Sequence, residues 1–114
     1  MIDCIFCKMI EGVIPATKLF EDKDFICIRD IRPQAKDHFL VIPKAHLANL
    51  TDAFPTYEQL MGRMLAVGVQ LAQSQGLMPR GFRTVINTNA DAGQTVFHIH
   101  AHILGGEPLS GGFA

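Results

Sequence analysis

Between His98 and Leu104 the chain reads His-Ile-His-Ala-His-Ile-Leu, alternating imidazole and apolar side chains with a period of two. Such a period makes two distinct faces only on an extended chain, where successive side chains point to opposite sides. A strand is therefore expected over Val96 to Leu104, with Ile99, Ala101 and Ile103 on one face and His98, His100 and His102 on the other. Packing gives no reason to line a face with polar rings that are costly to bury, so the row points to chemistry.

The rest of the chain supplies partners for this strand. Ile5 to Ile10 reads as a short helix, with Gly12 and then Pro15 ending it. Thr17 to Phe20 and Asp24 to Arg29 form a hairpin pattern around the polar turn Glu21-Asp22-Lys23, and His38 to Ile42 is a third strand. Thr56-Tyr-Glu-Gln59 has the form of a capping box. Beyond it Leu60, Met61, Met64, Leu65, Gly68, Leu71 and Ala72 recur at helical spacing until Gly76, which predicts one long helix with an apolar stripe. Arg83 to Asn87 is the remaining strand, followed by a small and polar loop from Thr88 to Thr95. The expected architecture is α+β, a mostly antiparallel sheet with one long helix and a short N-terminal helix.

Length and charge narrow the function. A chain of 114 residues buries enough surface for one domain spanning 1–114. With Lys+Arg 10 against Asp+Glu 11 the formal charge is −1, which excludes the broad basic footprint of a polymeric nucleic-acid binder. Apolar runs such as Phe39-Leu-Val-Ile42 are too short to span a bilayer, and the N-terminus lacks a secretory pattern, so a cytoplasmic protein is expected. The odd count of three cysteines, Cys4, Cys7 and Cys27, argues against a disulfide framework and leaves thiols or metal ligands.

Along a strand the outer two histidines of the row lie roughly 13 Å apart at Cα, too far for one small ion to hold all three. Two divisions of labour remain open. His98 and His100 can chelate a catalytic zinc if a third ligand arrives from elsewhere. Alternatively, two of the rings serve an anion, one attacking phosphorus and one donating to its oxygens. An ordinary histidine is largely neutral and nucleophilic near pH 7, which suits that work.

His98-Ile-His-Ala-His-Ile-Leu104 resembles the signature of the histidine triad family, and the likeness runs over nearly the whole chain. Ile31-Arg-Pro-Gln-Ala35, His38-Phe-Leu-Val-Ile-Pro-Lys44, Gly93-Gln-Thr-Val-Phe-His-Ile-His100 and Gly105-Gly106 are similar to the blocks of its Hint branch, the purine nucleoside phosphoramidases. The dinucleoside polyphosphate hydrolases of the Fhit branch are the nearest alternative. The resemblance implies a histidine triad fold and a nucleotidyl-histidine intermediate at the α-phosphorus. In that reading His100 is the nucleophile, His102 assists the leaving amine, and His38 orients a triad imidazole. Gln94 and Thr95 would donate to the phosphate, with Asn87 and the backbone at Gly93 completing its cradle. Asp30 would accept from both ribose hydroxyls, although from its position alone it is a turn residue before Pro33. Ile5, Phe6, Met9, Ile28 and Ile31, which spacing alone reads as core, would form the apolar slot for a purine.

Cys4-Ile-Phe-Cys7 has the spacing for two ligands of one tetrahedral zinc, but is half a site. His46 and His98 match the remaining ligand positions of relatives that carry a structural zinc; ordinary semi-buried thiols are the alternative. Cys27 is expected to be a packing or surface thiol. The resemblance also implies a homodimer and a C-terminal tail whose Phe113 approaches the partner's site; no organic cofactor and no membrane are expected. Two further functions stay in play: a dinucleoside polyphosphate hydrolase or nucleotidylyl transferase, and a non-catalytic nucleotide-binding adaptor.

Overall fold

The computed structural model describes residues 3–111, so the tail assignment to Phe113 lies outside the described residues. The elements in chain order are α1 (Ile5–Ile10), β1 (Phe20–Glu21), β2 (Phe25–Arg29), β3 (Asp37–Pro43), α2 (Leu50–Ala53), α3 (Glu58–Ser74), β4 (Phe82–Val85) and β5 (Ala101–Gly105). The strands form one antiparallel sheet in the order β1-β2-β3-β5-β4. This is the α+β architecture expected, with one long helix and a short N-terminal one.

Alternation along the central strands sorts their side chains between two layers. Phe25, Cys27, Phe39, Val41, Ala101 and Ile103 pack with Met61, Met64, Val67 and Leu71 of α3. Ile26, Ile28, Leu40 and Ile42 face the other way and pack with Cys4 and Phe6 at α1. Gly68 is what lets α3 lie close on the sheet, because a Cβ there would stand 3.0 Å from Cδ1 of Ile103.

Several local readings need correction. The capping box does not form: α3 begins at Glu58, its N-cap is Tyr57, and no side chain caps it. The side-chain cap belongs instead to Asn49, which accepts from the Asp52 N–H and starts α2, an element whose four residues leave no periodic pattern. Leu65 is not core but 49% exposed on the outer face of α3, where Val67 replaces it inside. The hairpin is present but shifted, since β1 covers only Phe20–Glu21 and its turn is closed by the Asp22 carboxylate accepting from the N–H groups of Asp24 and Phe25. Cys27 is fully buried in the main core, and burial foremost pushes its thiol up to about 12.

The largest correction concerns the histidine strand. Its ladder covers only Ala101–Gly105, so His98 and His100 precede the strand. The inward alternation persists, with Ile99, Ala101 and Ile103 all in the main core. The Ile99 N–H, however, donates to the Leu47 carbonyl at 2.7 Å rather than to β3. That bond draws the segment off the sheet and carries His98 toward α1. Among the described residues no helix is long and apolar enough to cross a membrane.

Candidate functional site

The departure of His98 from the ladder creates a cluster. Its ring is fully buried, and its Nε2–H donates to the Pro43 carbonyl at 2.7 Å. A carbonyl only accepts, so the neutral ring carries its proton there and turns a bare Nδ1 toward Cys4 Sγ at 3.4 Å, Cys7 Sγ at 3.6 Å and His46 Nδ1 at 3.1 Å. Cys7 Sγ is also 3.3 Å from His46 Nδ1, and all four ligand atoms lie within 4.8 Å of one another. A tetrahedral ion with bonds of about 2.0–2.3 Å holds its ligands about 3.3–3.8 Å apart. The donor set, two sulfurs and two imidazole nitrogens, thus fits a divalent metal in chemistry and in size. Burial and then the neighbouring Cys4 push the Cys7 thiol up to about 11, a balance that a cation reverses by favouring thiolate.

A second histidine chain lies next to the first. The Gln34 backbone N–H donates to His38 Nδ1 at 3.0 Å, which leaves the proton of this buried ring on Nε2. That Nε2 is 2.8 Å from His102 Nδ1 and 3.5 Å from the Asp30 carboxylate. His102 accepts through Nδ1 and therefore presents Nε2–H beyond the chain. His100 has the opposite arrangement: its Nδ1–H donates to the His98 carbonyl at 2.8 Å, so its Nε2 is a lone pair. Burial lowers the pKa of His38, His100 and His102, His102 to about 4, with the His100 and His38 rings adding to the effect and Asp30 opposing it. These rings stay neutral at pH 7.

His100 and His102 open into a cavity of about 440 Å³. Its apolar lining includes Ile5, Phe6, Met9, Ile28 and Ile31. Phe6 meets the His100 ring edge-on at a centroid distance of 5.1 Å, while Ile31 is 86% exposed and forms a lip rather than core. Asn87, Gly93, Gln94, Thr95, Asp30 and the two histidines supply its polar lining. Except for His38, which lies behind His102, the residues singled out for substrate binding and catalysis are brought together here.

The polar loop differs from expectation in detail. Gln94 is only 6% exposed and its amide is wholly engaged: Nε2 donates to the carbonyls of Ala48 and Val96, and Oε1 accepts from the Asn89 N–H. It braces the loop and has no donor left for a phosphate. Asn87 donates to the Ala92 carbonyl at 2.7 Å across the same loop. Gly93 has φ +84, a left-handed conformation that favours glycine, and the space beside it is open. Asp30 Oδ1 caps the following turn by accepting from Arg32 N–H at 2.8 Å, so the turn reading and the cavity reading both describe it.

Sequence reasoning missed a second cavity of about 570 Å³ on the far side of His102, reached by Arg83, Glu107 and the segment Pro108 to Ser110. It shares His102 and Asn87 with the first. It missed, too, the backbone groups of Gln34, Pro43 and His98 that set the ring tautomers. Any residue type supplies such groups, so no motif marks them.

Known proteins resemble this chain over most of its length. The family model described as "Scavenger mRNA decapping enzyme C-term binding" matches residues 3–112. Protein HitA of Neisseria gonorrhoeae is 44% identical over 105 residues, covering 92% of this chain and 97% of that one. The purine nucleoside phosphoramidase of Escherichia coli (strain K12) is 40% identical over 107 residues, 94% of this chain and 90% of that one. Among solved structures, a HIT family hydrolase from Legionella pneumophila Philadelphia 1 superposes with a TM-score of 0.92 at 46% identity, covering 95% of this chain and 96% of that one. A zinc-bound histidine triad family protein from Mycobacterium smegmatis gives a TM-score of 0.81 at 39% identity, covering 95% of this chain and 80% of that one. With its three spaced imidazoles, its fold and its relatives in agreement, this chain belongs to the histidine triad family.

Proposed function

We propose that this protein hydrolyses phosphoramidates of purine nucleoside 5′-monophosphates, with His100 attacking the α-phosphorus. One observation carries the reading: the His98 carbonyl holds the proton of His100 on Nδ1, so that Nε2 is a ready nucleophile in a cavity lined by both apolar and polar side chains. The purine lies in the slot of Phe6, Met9, Ile28 and Ile31, and Asp30 accepts from the ribose hydroxyls. A phosphate within reach of Thr95 and the His102 Nε2–H meets donors, whereas the Gly93 N–H is spent on the Ala90 carbonyl at 3.0 Å.

In the first step the bond from His100 Nε2 to phosphorus forms as the phosphorus–nitrogen bond of the substrate breaks. The leaving nitrogen takes a proton and departs as a neutral amine. Both Nδ1 atoms of the His38–His102 chain already accept, from Gln34 N–H and His38 Nε2–H, so the His102 Nε2–H serves the leaving nitrogen as a hydrogen-bond donor and the proton on the amine comes from solvent. Water then attacks phosphorus, the bond to His100 breaks, and the proton left over is released to solvent.

Cys4, Cys7, His46 and His98 are the residues that would hold a zinc. A closed tetrahedral site of this kind supplies structural cross-linking and offers no open position for substrate. A reducing, cytoplasmic setting keeps the cysteines available as ligands. The working unit is proposed to be a homodimer, with edge strand β4 and the exposed Leu65 and Val69 of α3 facing the partner. A second reading, hydrolysis of dinucleoside polyphosphates, is favoured by the cavity beyond His102, where Arg83 can meet a phosphorylated leaving group. Turnover of adenosine 5′-monophosphoramidate beside diadenosine polyphosphates decides between them. Loss of both turnovers in His100→Ala is expected, and a full rate in that variant would rule out the covalent route.

A further inference from the structure

The metal cluster and the nucleotide cavity share parts. Cys4 is the N-cap of α1 and Cys7 lies in its first turn, and the same helix carries Phe6, which lines the cavity. Phe6 stands edge-on to both His98 and His100, at centroid distances of 5.8 and 5.1 Å. His98 is the second shared part. Its Nδ1 faces the two sulfurs, while its carbonyl oxygen holds the Nδ1 proton of His100.

A helix of six residues is far below the ~12–15 that one needs to persist alone, so the place of α1 is set by what its side chains hold. Phe6 is its one buried residue, with Met9 and Ile10 packing partly on the sheet. At its N-terminal end the ties to the rest of the chain run through Cys4 and Cys7 to His46 and His98. A metal joining the four donors would replace these weak sulfur contacts with coordinate bonds. Without one, the end of α1 that carries Phe6 rests on apolar packing.

We propose that metal binding at Cys4, Cys7, His46 and His98 is coupled to nucleotide binding, because the cluster fixes both the Phe6 wall of the purine slot and the single tautomer of His100. The inference rests on the nucleotide reading of the cavity. Coupling between two sites is reciprocal: the factor by which metal tightens nucleotide binding is the factor by which nucleotide tightens metal binding.

The test compares the full chain loaded with equimolar zinc and after its removal by a chelator, reading amide hydrogen exchange, the imidazole nitrogen shifts of His100, and the affinity for AMP. Zinc removal is expected to speed exchange in α1 at least about tenfold while β3, β5 and α3 keep their protection, a sub-global opening. His100 should pass from one tautomer to a mixture. AMP affinity should fall about tenfold, and AMP should raise zinc affinity by the same factor. Phe6→Leu is expected to keep zinc affinity in the absence of AMP but to shrink that factor. Unchanged α1 exchange and tautomer on zinc removal would overturn the proposal, as would loss of protection everywhere at once or full coupling in Phe6→Leu. If the zinc-loaded chain binds no AMP, the nucleotide reading falls, while α1 exchange and the His100 tautomer still decide whether the cluster acts as a clamp.

Discussion

The Nδ1 of His100 lies 2.8 Å from the carbonyl oxygen of His98, two residues earlier in the chain. Since that oxygen can only accept, the backbone of one triad histidine chooses the reactive nitrogen of the next. The side chain of His98 meanwhile turns away to Cys4, Cys7 and His46. One residue serves two neighbouring sites with different atoms.

Metal content follows from the cluster. Protein purified in the presence of zinc should hold one zinc per chain by elemental analysis, and Cys7→Ser should weaken binding at least about tenfold, as loss of a thiolate from a four-ligand site does. Equal zinc in both proteins would show that the ion lies elsewhere.

Stability should fall with acid in a defined window. Burial depresses the folded-state pKa of His38, His98 and His102, His102 to about 4, below the ordinary value of 6.5. Protons therefore bind the unfolded chain first as pH drops. The stability these neutral rings contribute is intact above 6.5 and is lost progressively toward about 4. Urea midpoints measured from pH 7.5 to 4.5 should decline, and less steeply in His102→Asn; a flat profile would contradict the buried neutral rings.

Gln94 provides a test of scaffold against chemistry. Its amide makes three hydrogen bonds within and below the loop, and Gln94→Leu should cost about 2–3 kcal/mol of stability by stranding their backbone partners. Chemical denaturation checks this. A Gln94→Leu chain of unchanged stability but reduced turnover would restore the phosphate-donor role read from its position.

Asp30 should set the sugar. Of its two oxygens, Oδ1 accepts from the Arg32 N–H, and Oδ2 stands 3.5 Å from His38 Nε2. Asp30→Ala is expected to reduce the preference for AMP over dAMP about tenfold, the worth of one hydrogen bond to a charged group. Competition binding with the two nucleotides measures it, and an unchanged ratio would remove Asp30 from the ribose site.

What could be read in advance depended on how local the cause was. The period of two between His98 and Ile103 sorted inward from outward side chains correctly, because facing alternates along any extended chain. The same pattern overstated the ladder, since the bond from Ile99 to Leu47 joins residues far apart in sequence. Cys4 and Cys7 were recognisable as half a metal site by spacing, and resemblance supplied His46 and His98; residues alone could not, for they arrive from separate parts of the chain. Thr56 misled because a capping motif states a local preference, and the chain starts α3 after Tyr57. Leu65 misled because an apolar stripe wider than the buried face looks the same in sequence as core. The tautomers of His38, His98 and His100 were illegible, being set by backbone groups.

The central claim is that His100 Nε2 bonds to phosphorus. It is tested most directly by quenching the protein seconds after mixing with adenosine 5′-monophosphoramidate and mapping any added mass by tandem mass spectrometry. An adenylyl group on His100, absent from His100→Ala and decaying as free AMP accumulates, is the predicted result. Steady AMP release with no adduct at any time, or an adduct on His98 or His102 instead, would contradict it.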